Sequence, residues 1–160
     1  MCQSRFVLPD PNEFTPLDAE AASRWARFGK WDRDYFPNLV GLEVEEIRVG
    51  YCRMRLPFRP VLEQPMGIVH GGAIATLLDA VVVPAIGSAY SASTGYSTVD
   101  LSIQFHSPLK AEDAVAHGWV IKRGRRIVFC EAVAISSTSG RVIAKAALTY
   151  AISDPPAPGG

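Results

Sequence analysis

The sequence reads as an α+β domain in which an antiparallel β-sheet wraps one long helix. Three observations carry this. Residues 73–86 are apolar or small apart from Thr76 and Asp79, a run rich in Ala, Leu and Ile and too long for a strand. After it, Val99, Leu101, Ile103 and Phe105 alternate with polar residues, and further strand patterns follow as far as Ile152. Before it, the alternating stretches Val40–Arg48 and Tyr51–Leu56 flank Val49-Gly50 and read as a hairpin.

Taken in order, residues 1–14 are irregular, with Pro9 and Pro11. Thr15-Pro16 has the residues of a helix start, and that helix should run through Trp25 and Phe28 to stop at Gly29. A short turn or helix near Asp32–Phe36 should end at Pro37. After the hairpin, Pro57, Pro60 and Pro65 mark a loop into the long helix. Pro84 should kink that helix near Ala80 or end it early. Ser88–Gly95 is a loop of small residues. Ala114–Lys122 and Arg126–Ile135 are strands about the turn Arg123-Gly124-Arg125, Ser136–Gly140 is a further turn, and Arg141–Ile152 is the last strand. Residues 1–39 thus form an extension with its own helix, 40–153 the main domain, and 154–160 a Pro/Gly tail expected to be disordered.

The long helix contains the residues that call for an explanation. From Gly71 to Val99 the only charged residue is Asp79. A helix apolar on every side is a buried helix, and an unpaired carboxylate is costly there. At the helix start, Gly71-Gly72 follows His70. The glycines should leave the first amide N–H groups unobstructed at the positive end of the helix, where an anion or oxyanion can bind. Asp79 lies eight residues on, about 12 Å along the axis. One helix cannot bring both groups to the same bond, so two chains packed antiparallel are expected, with sites at their interface. Burial should raise the Asp79 pKa and a facing helix start should lower it.

Composition narrows the function. The chain has 160 residues, 48% hydrophobic, enough for one domain with a real core. Sixteen basic and sixteen acidic residues cancel, so nothing global favours nucleic acid or membrane. Cys2, Cys52 and Cys130 are odd in number and lack metal spacing, which fits free thiols in a reducing cytoplasm. His70 and Asp79 have no zinc-ligand spacing with other residues, so no metal is expected. The N-terminus has no long apolar run, hence neither signal peptide nor membrane span is expected.

The element order, together with Gln64-Pro65-x-Gly67-x-x-His70-Gly71-Gly72 followed by Asp79, resembles the hotdog-fold acyl-CoA thioesterases, nearest the PaaI-like and 4-hydroxybenzoyl-CoA thioesterase group. The resemblance covers roughly residues 40–152. Ser97–Pro108 is similar to the family's strand after the helix. It implies that Asp79 is the catalytic carboxylate, attacking the thioester or activating water, and that the Gly71 N–H polarises the thioester carbonyl. It implies that His70 and Gln64 orient the thioester and the water, and that Thr98 places a hydroxyl near the carboxylate. Gln64, His70 and Gly71 would come from one subunit and Asp79 from its neighbour, in a homodimer or dimer of dimers. Many members carry Asn in place of Gln64 and Glu in place of Asp79. Coenzyme A would enter as part of the substrate, with no separate cofactor.

Each residue also has a plainer reading. Asp79 can serve a structural ion pair, His70 a helix cap, Gln64 a solvated loop, Gly71 close packing, and Thr98 strand propensity. Lys122, Arg123, Arg125 and Arg126 read either as a solvated turn or as a clamp on the coenzyme A phosphates, with Arg123 and Arg125 favoured. His106 and His117 read as structural. The expected activity is hydrolysis of an acyl-CoA thioester. Its rivals are a non-catalytic acyl-CoA-binding module of the same fold and a hotdog hydratase or dehydratase, which needs a second acid/base pair that the sequence does not display.

Overall fold

A computed structural model describes residues 7–90 and 94–153; Cys2 and the 154–160 tail lie outside them. Helices α1 (Ala19–Trp25) and α2 (Phe36–Val40) precede strands β1 (Glu43–Arg48) and β2 (Tyr51–Leu56). Two two-residue strands, β3 (Glu63–Gln64) and β4 (Ile68–Val69), lead into the long helix α3 (Gly71–Gly87). Strands β5 (Gly95–Phe105), β6 (Ala114–Arg123), β7 (Ile127–Ser136) and β8 (Val142–Ser153) follow. Six strands form one antiparallel sheet in the order β1-β2-β6-β7-β8-β5, so β5 is an edge.

The helix α3 lies against the concave face of this sheet, with Ile74, Leu77, Leu78, Val81, Val82 and Ile86 buried. Each such side chain contributes roughly 1.5–3 kcal/mol by leaving water. The sheet meets them with Ala114, Ala116, Ala132, Ala134, Ala144 and Ala146, all buried. Small residues let helix and sheet approach closely. At Gly118 the approach is closest: a Cβ there would lie 2.7 Å from Val81 Cγ1.

Three expectations about element ends are corrected. Thr15 does not cap α1. Its carbonyl accepts from Val49 N–H at 2.9 Å and Pro16 bridges Arg48, so a strand-like contact wins over the cap. The cap is Asp18, whose Oδ1 accepts from Ala21 N–H at 2.7 Å. Pro37 sits in the first turn of α2 rather than ending an element, because a first-turn residue needs no N–H. Pro84 does not end α3, which continues to Gly87; buried neighbours hold the helix where one ladder bond is missing.

Candidate functional site

The start of α3 is more finished than two adjacent glycines suggest. A helix leaves its first four amides without internal partners. Here His70 N–H donates to the Leu62 carbonyl at 2.7 Å, Gly72 N–H to His70 Nδ1 at 2.8 Å, and Ala73 N–H to the His70 carbonyl at 2.9 Å. Gly71 N–H alone has no acceptor among the described residues. Space for a side chain is tight at both glycines. A Cβ on Gly72 would lie 2.9 Å from His70 Nδ1, displacing the cap, and one on Gly71 would lie 3.3 Å from Phe105 Cζ. The expectation of several unobstructed amides is therefore narrowed to one.

His70 is the cap, as its plainer reading holds, and remains solvent-exposed. With Nδ1 accepting, the neutral ring carries its proton on Nε2, facing away from the helix. Gln64 is the last residue of β3, and its Oε1 accepts from Met66 N–H in the β3–β4 turn at 2.9 Å. Its amide NH2 is the half left to donate outward. The bond from His70 N–H to the Leu62 carbonyl fixes the loop to the helix start. Two clefts flank this point. One is lined by Ile68, Gly71, Ile74 and Phe105. The other brings Phe36 and Val61 beside His70, Gly72 and Thr76.

Asp79 is not buried within one chain, which corrects the reading of α3 as enclosed on every side. It is half-exposed on a stripe with Thr76 and Val83, continuing from exposed Gly72. No ion pair reaches it among the described residues. Instead, two hydroxyls hold one of its oxygens. Thr98 Oγ1 donates to Oδ1 at 2.9 Å and Tyr150 OH donates to the same Oδ1 at 2.6 Å. Burial pushes the Tyr150 hydroxyl well above the usual phenol range, and its bond to Asp79 adds to this, so it stays a donor at neutral pH.

A β-bulge makes this arrangement possible. The β5–β8 register shifts between Thr98 and Asp100, with Thr98 opposite Tyr150 and Leu101 opposite Leu148. Strict alternation would place Thr98 and Leu101 on opposite faces. The extra residue, Val99, is 61% exposed, and the shift turns both Thr98 and Leu101 toward α3. Tyr150 escapes a sequence reading. It occupies the inward phase of β8 after Ala144, Ala146 and Leu148, where an aromatic residue reads only as core.

The four cations separate. Arg123 turns inward, its Nη2 donating to the Ala85 carbonyl at 3.3 Å and its Cζ 5.8 Å from the Tyr90 ring centroid. It therefore completes the far end of α3. Lys122, Arg125 and Arg126 remain exposed about the β6–β7 turn. No group of three or more His, Cys, Asp or Glu side chains among the described residues could hold a metal, and no helix there is long and apolar enough to cross a membrane.

A six-stranded antiparallel sheet around one long helix, with a lone amide and a hydroxyl-held carboxylate on that helix, defines a hotdog-fold enzyme. Residues 66–143 match the thioesterase superfamily. A putative esterase of Saccharolobus solfataricus is 30% identical over 115 residues, covering 72% of this chain and 75% of that one. Acyl-coenzyme A thioesterase 13 of Mus musculus is 32% identical over 81 residues, 50% of this chain and 57% of the relative, so the chain spans little more than half of that protein. The E. coli PaaI protein from the phenylacetic acid degradation operon superimposes with a TM-score of 0.72 at 14% identity, covering 82% of this chain and 94% of that one, a likeness of fold. The chain belongs to the thioesterase superfamily and is a thioester hydrolase.

Proposed function

We propose that the protein hydrolyses an acyl-CoA thioester to a carboxylic acid and coenzyme A, in a site shared between two copies of the chain. The observation that carries this reading is the one unpartnered amide at Gly71 on the same helix as the hydroxyl-held Asp79. The two are about 12 Å apart along the axis, so they serve one thioester only if a second α3 lies antiparallel. The half-open stripe at Thr76, Asp79 and Val83 supports such packing, as does the β5 edge, where Val99 and Phe105 are 61% and 57% exposed.

In this reading Gly71 N–H donates to the thioester oxygen as negative charge develops there. Asp79 of the facing chain takes a proton from water while the water oxygen bonds to the carbonyl carbon. The tetrahedral intermediate collapses, the C–S bond breaks, and the proton passes to the departing thiolate. In the direct route the Asp79 carboxylate itself bonds to the carbonyl carbon, the C–S bond breaks as coenzyme A departs as the thiolate, and water then cleaves the mixed anhydride, restoring the carboxylate, releasing the acid and giving a proton to the thiolate. His70 Nε2–H and the Gln64 amide orient the thioester and the water. Thr98 steadies the carboxylate, and Lys122, Arg125 and Arg126 meet the coenzyme A phosphates. Assembly is as a dimer or a dimer of dimers. A cytoplasmic location belongs to the same proposal, supported by the buried free thiols of Cys52 and Cys130.

The test is thiol release over a panel of acyl-CoAs, with enoyl absorbance followed in parallel. Thiol release with at least one class supports the reading. Binding with no release, or a change in enoyl absorbance without thiol, would establish one of the rivals instead. Single-turnover hydrolysis in 18O-water tests the direct route: label in the Asp79 carboxylate would establish direct attack followed by cleavage of the anhydride on the Asp79 side.

A further inference from the structure

We propose that Tyr150 is a positioning residue for Asp79: together with Thr98 it pins Oδ1 and leaves Oδ2 as the oxygen that acts on water or thioester. This deepens the thioesterase reading and rests on it. Tyr150 lies outside the residues matched to the superfamily, which end at 143, so nothing in that match assigns it a role.

The geometry is tight. Tyr150 is 2% exposed and sits directly opposite Thr98 across the β5–β8 pair. Its hydroxyl is 2.6 Å from Asp79 Oδ1 and 2.9 Å from the Asp79 main-chain carbonyl oxygen. One hydroxyl thus spans side chain and backbone of the same residue, fixing the carboxylate relative to the helix turn that bears it. Thr98 reaches the same Oδ1 from the edge strand at 2.9 Å. Two donors on one oxygen lower its basicity and break the symmetry of the carboxylate, and no donor to Oδ2 occurs among the described residues. Phenylalanine in place of Tyr150 would keep the ring packed between β8 and α3 but leave the carboxylate held by Thr98 alone.

The pH argument needs the neighbouring charges. From β8 the facing group is Tyr150 itself; from β7 it is the Cys130 thiol, which burial pushes up to about 12 and keeps neutral. From β5 it is Thr98, which does not titrate. In the proposed dimer, His70 of the second copy is common to wild type and variant and cancels in their difference. Removing a donor takes away a hydrogen bond that favours the ionised carboxylate, so the acid limb of kcat/KM should move to higher pH.

The experiment is Tyr150→Phe, which keeps the ring. The expected result is a roughly tenfold fall in kcat with KM unchanged and an acid limb displaced upward by about one pH unit. Thr98→Val should move it the same way by less. Site-specific incorporation of 3-fluorotyrosine at Tyr150 leaves the fold unperturbed and strengthens the donor, and the acid limb should then move downward. Unchanged kcat and pH profile in Tyr150→Phe, or no movement on fluorination, overturns the proposal. The failures are distinguishable. An Asp79→Asn enzyme with wild-type turnover removes the catalytic reading itself, whereas an inactive Asp79→Asn beside a wild-type Tyr150→Phe removes only the positioning role.

Discussion

The two ends of α3 are built on opposite plans. At its C-terminal end the carbonyls are covered. Ala85 accepts from Ser88 Oγ at 2.8 Å and from Arg123 Nη2, and Arg24 Nη2 reaches the Gly87 and Tyr90 carbonyls at 3.4 and 2.9 Å. Trp25 closes over Gly87, where a Cβ would lie 2.3 Å from its ring. Guanidinium groups here offset the negative end of the helix dipole. At the N-terminal end an exposed histidine satisfies the Gly72 and Ala73 amides and leaves that of Gly71, with a cleft on either side. The difference separates stability from the proposed chemistry: the end with its partners supplied from inside the chain holds the fold, and the end lacking one partner is where the proposed mechanism puts the substrate oxygen.

The largest effects should therefore come from the open end and its carboxylate. Asp79→Asn is expected to keep the fold and lower kcat by roughly 10²–10⁴. Circular dichroism and thiol-release kinetics check both halves, and near-native turnover would sink the mechanism. Gly71 permits a cleaner cut. It is the first helical residue, where proline is tolerated, and His70 before it already has φ −60 and ψ 134, values proline accepts in its predecessor. Gly71→Pro deletes the amide hydrogen, and Gly71→Ala keeps it while meeting Phe105 in a similar way. A further fall of roughly 10² in kcat from Ala to Pro would isolate the donor. Equal rates in the two variants would mean that this amide does not touch the reacting carbonyl.

How much of this contrast is legible in the sequence depends on whether a residue acts through its own position or through a partner. The lone acid, the His-Gly-Gly helix start and the element order can be read because each is a local departure from an apolar pattern. Tyr150 cannot, since its role exists only where β8 faces α3, and in sequence it is one more inward residue. The bulge at Val99 is equally hidden: the pattern Val99, Leu101, Ile103, Phe105 is a regular alternation, yet Thr98 reaches Asp79 only because that alternation is broken one residue earlier. Arg123 reads as part of a solvated basic turn, and nothing in its neighbours reveals the helix end it covers. The burial of Asp79 is misjudged for the complementary reason. A uniformly apolar helix implies enclosure but does not say whether the same chain supplies it.

Moderate effects should separate the cations. Arg125→Ala and Arg126→Ala are expected to raise KM for acyl-CoA several-fold at constant kcat, through the loss of charge-assisted phosphate contacts. Neither should affect a pantetheine thioester that lacks the nucleotide, and a similar rise with that truncated substrate would place these side chains elsewhere. Arg24→Ala acts at the closed end. It should lower unfolding stability by about 1–2 kcal/mol, since it removes a charged donor from α3 carbonyls, and leave kcat within about twofold. A collapse of kcat with stability intact would show that the two ends are not independent.

The smallest effect guards the interpretation of every pH profile above. His117 in β6 shares a 2.8 Å hydrogen bond with buried Tyr51, away from both ends of α3. Burial lowers its pKa from the ordinary 6.5, and Arg53 adds to the lowering. The unfolded chain therefore binds this proton more readily than the folded one. The stability involved is fully present above pH 6.5 and is lost progressively as pH falls below that, toward the folded value. A rate measured near pH 5.5 would then mix partial unfolding with the pH dependence of the reaction itself. His117→Gln removes the titrating group, so its melting temperature should fall less between pH 7.5 and 5.5 than that of the wild type, while the acid limb of kcat/KM stays in place. An equal fall in both proteins would assign the acid sensitivity to other groups. An acid limb that moved with the substitution would mean that the limb reports the fold, and the pH shift expected for Tyr150→Phe would then have to be read against stability first.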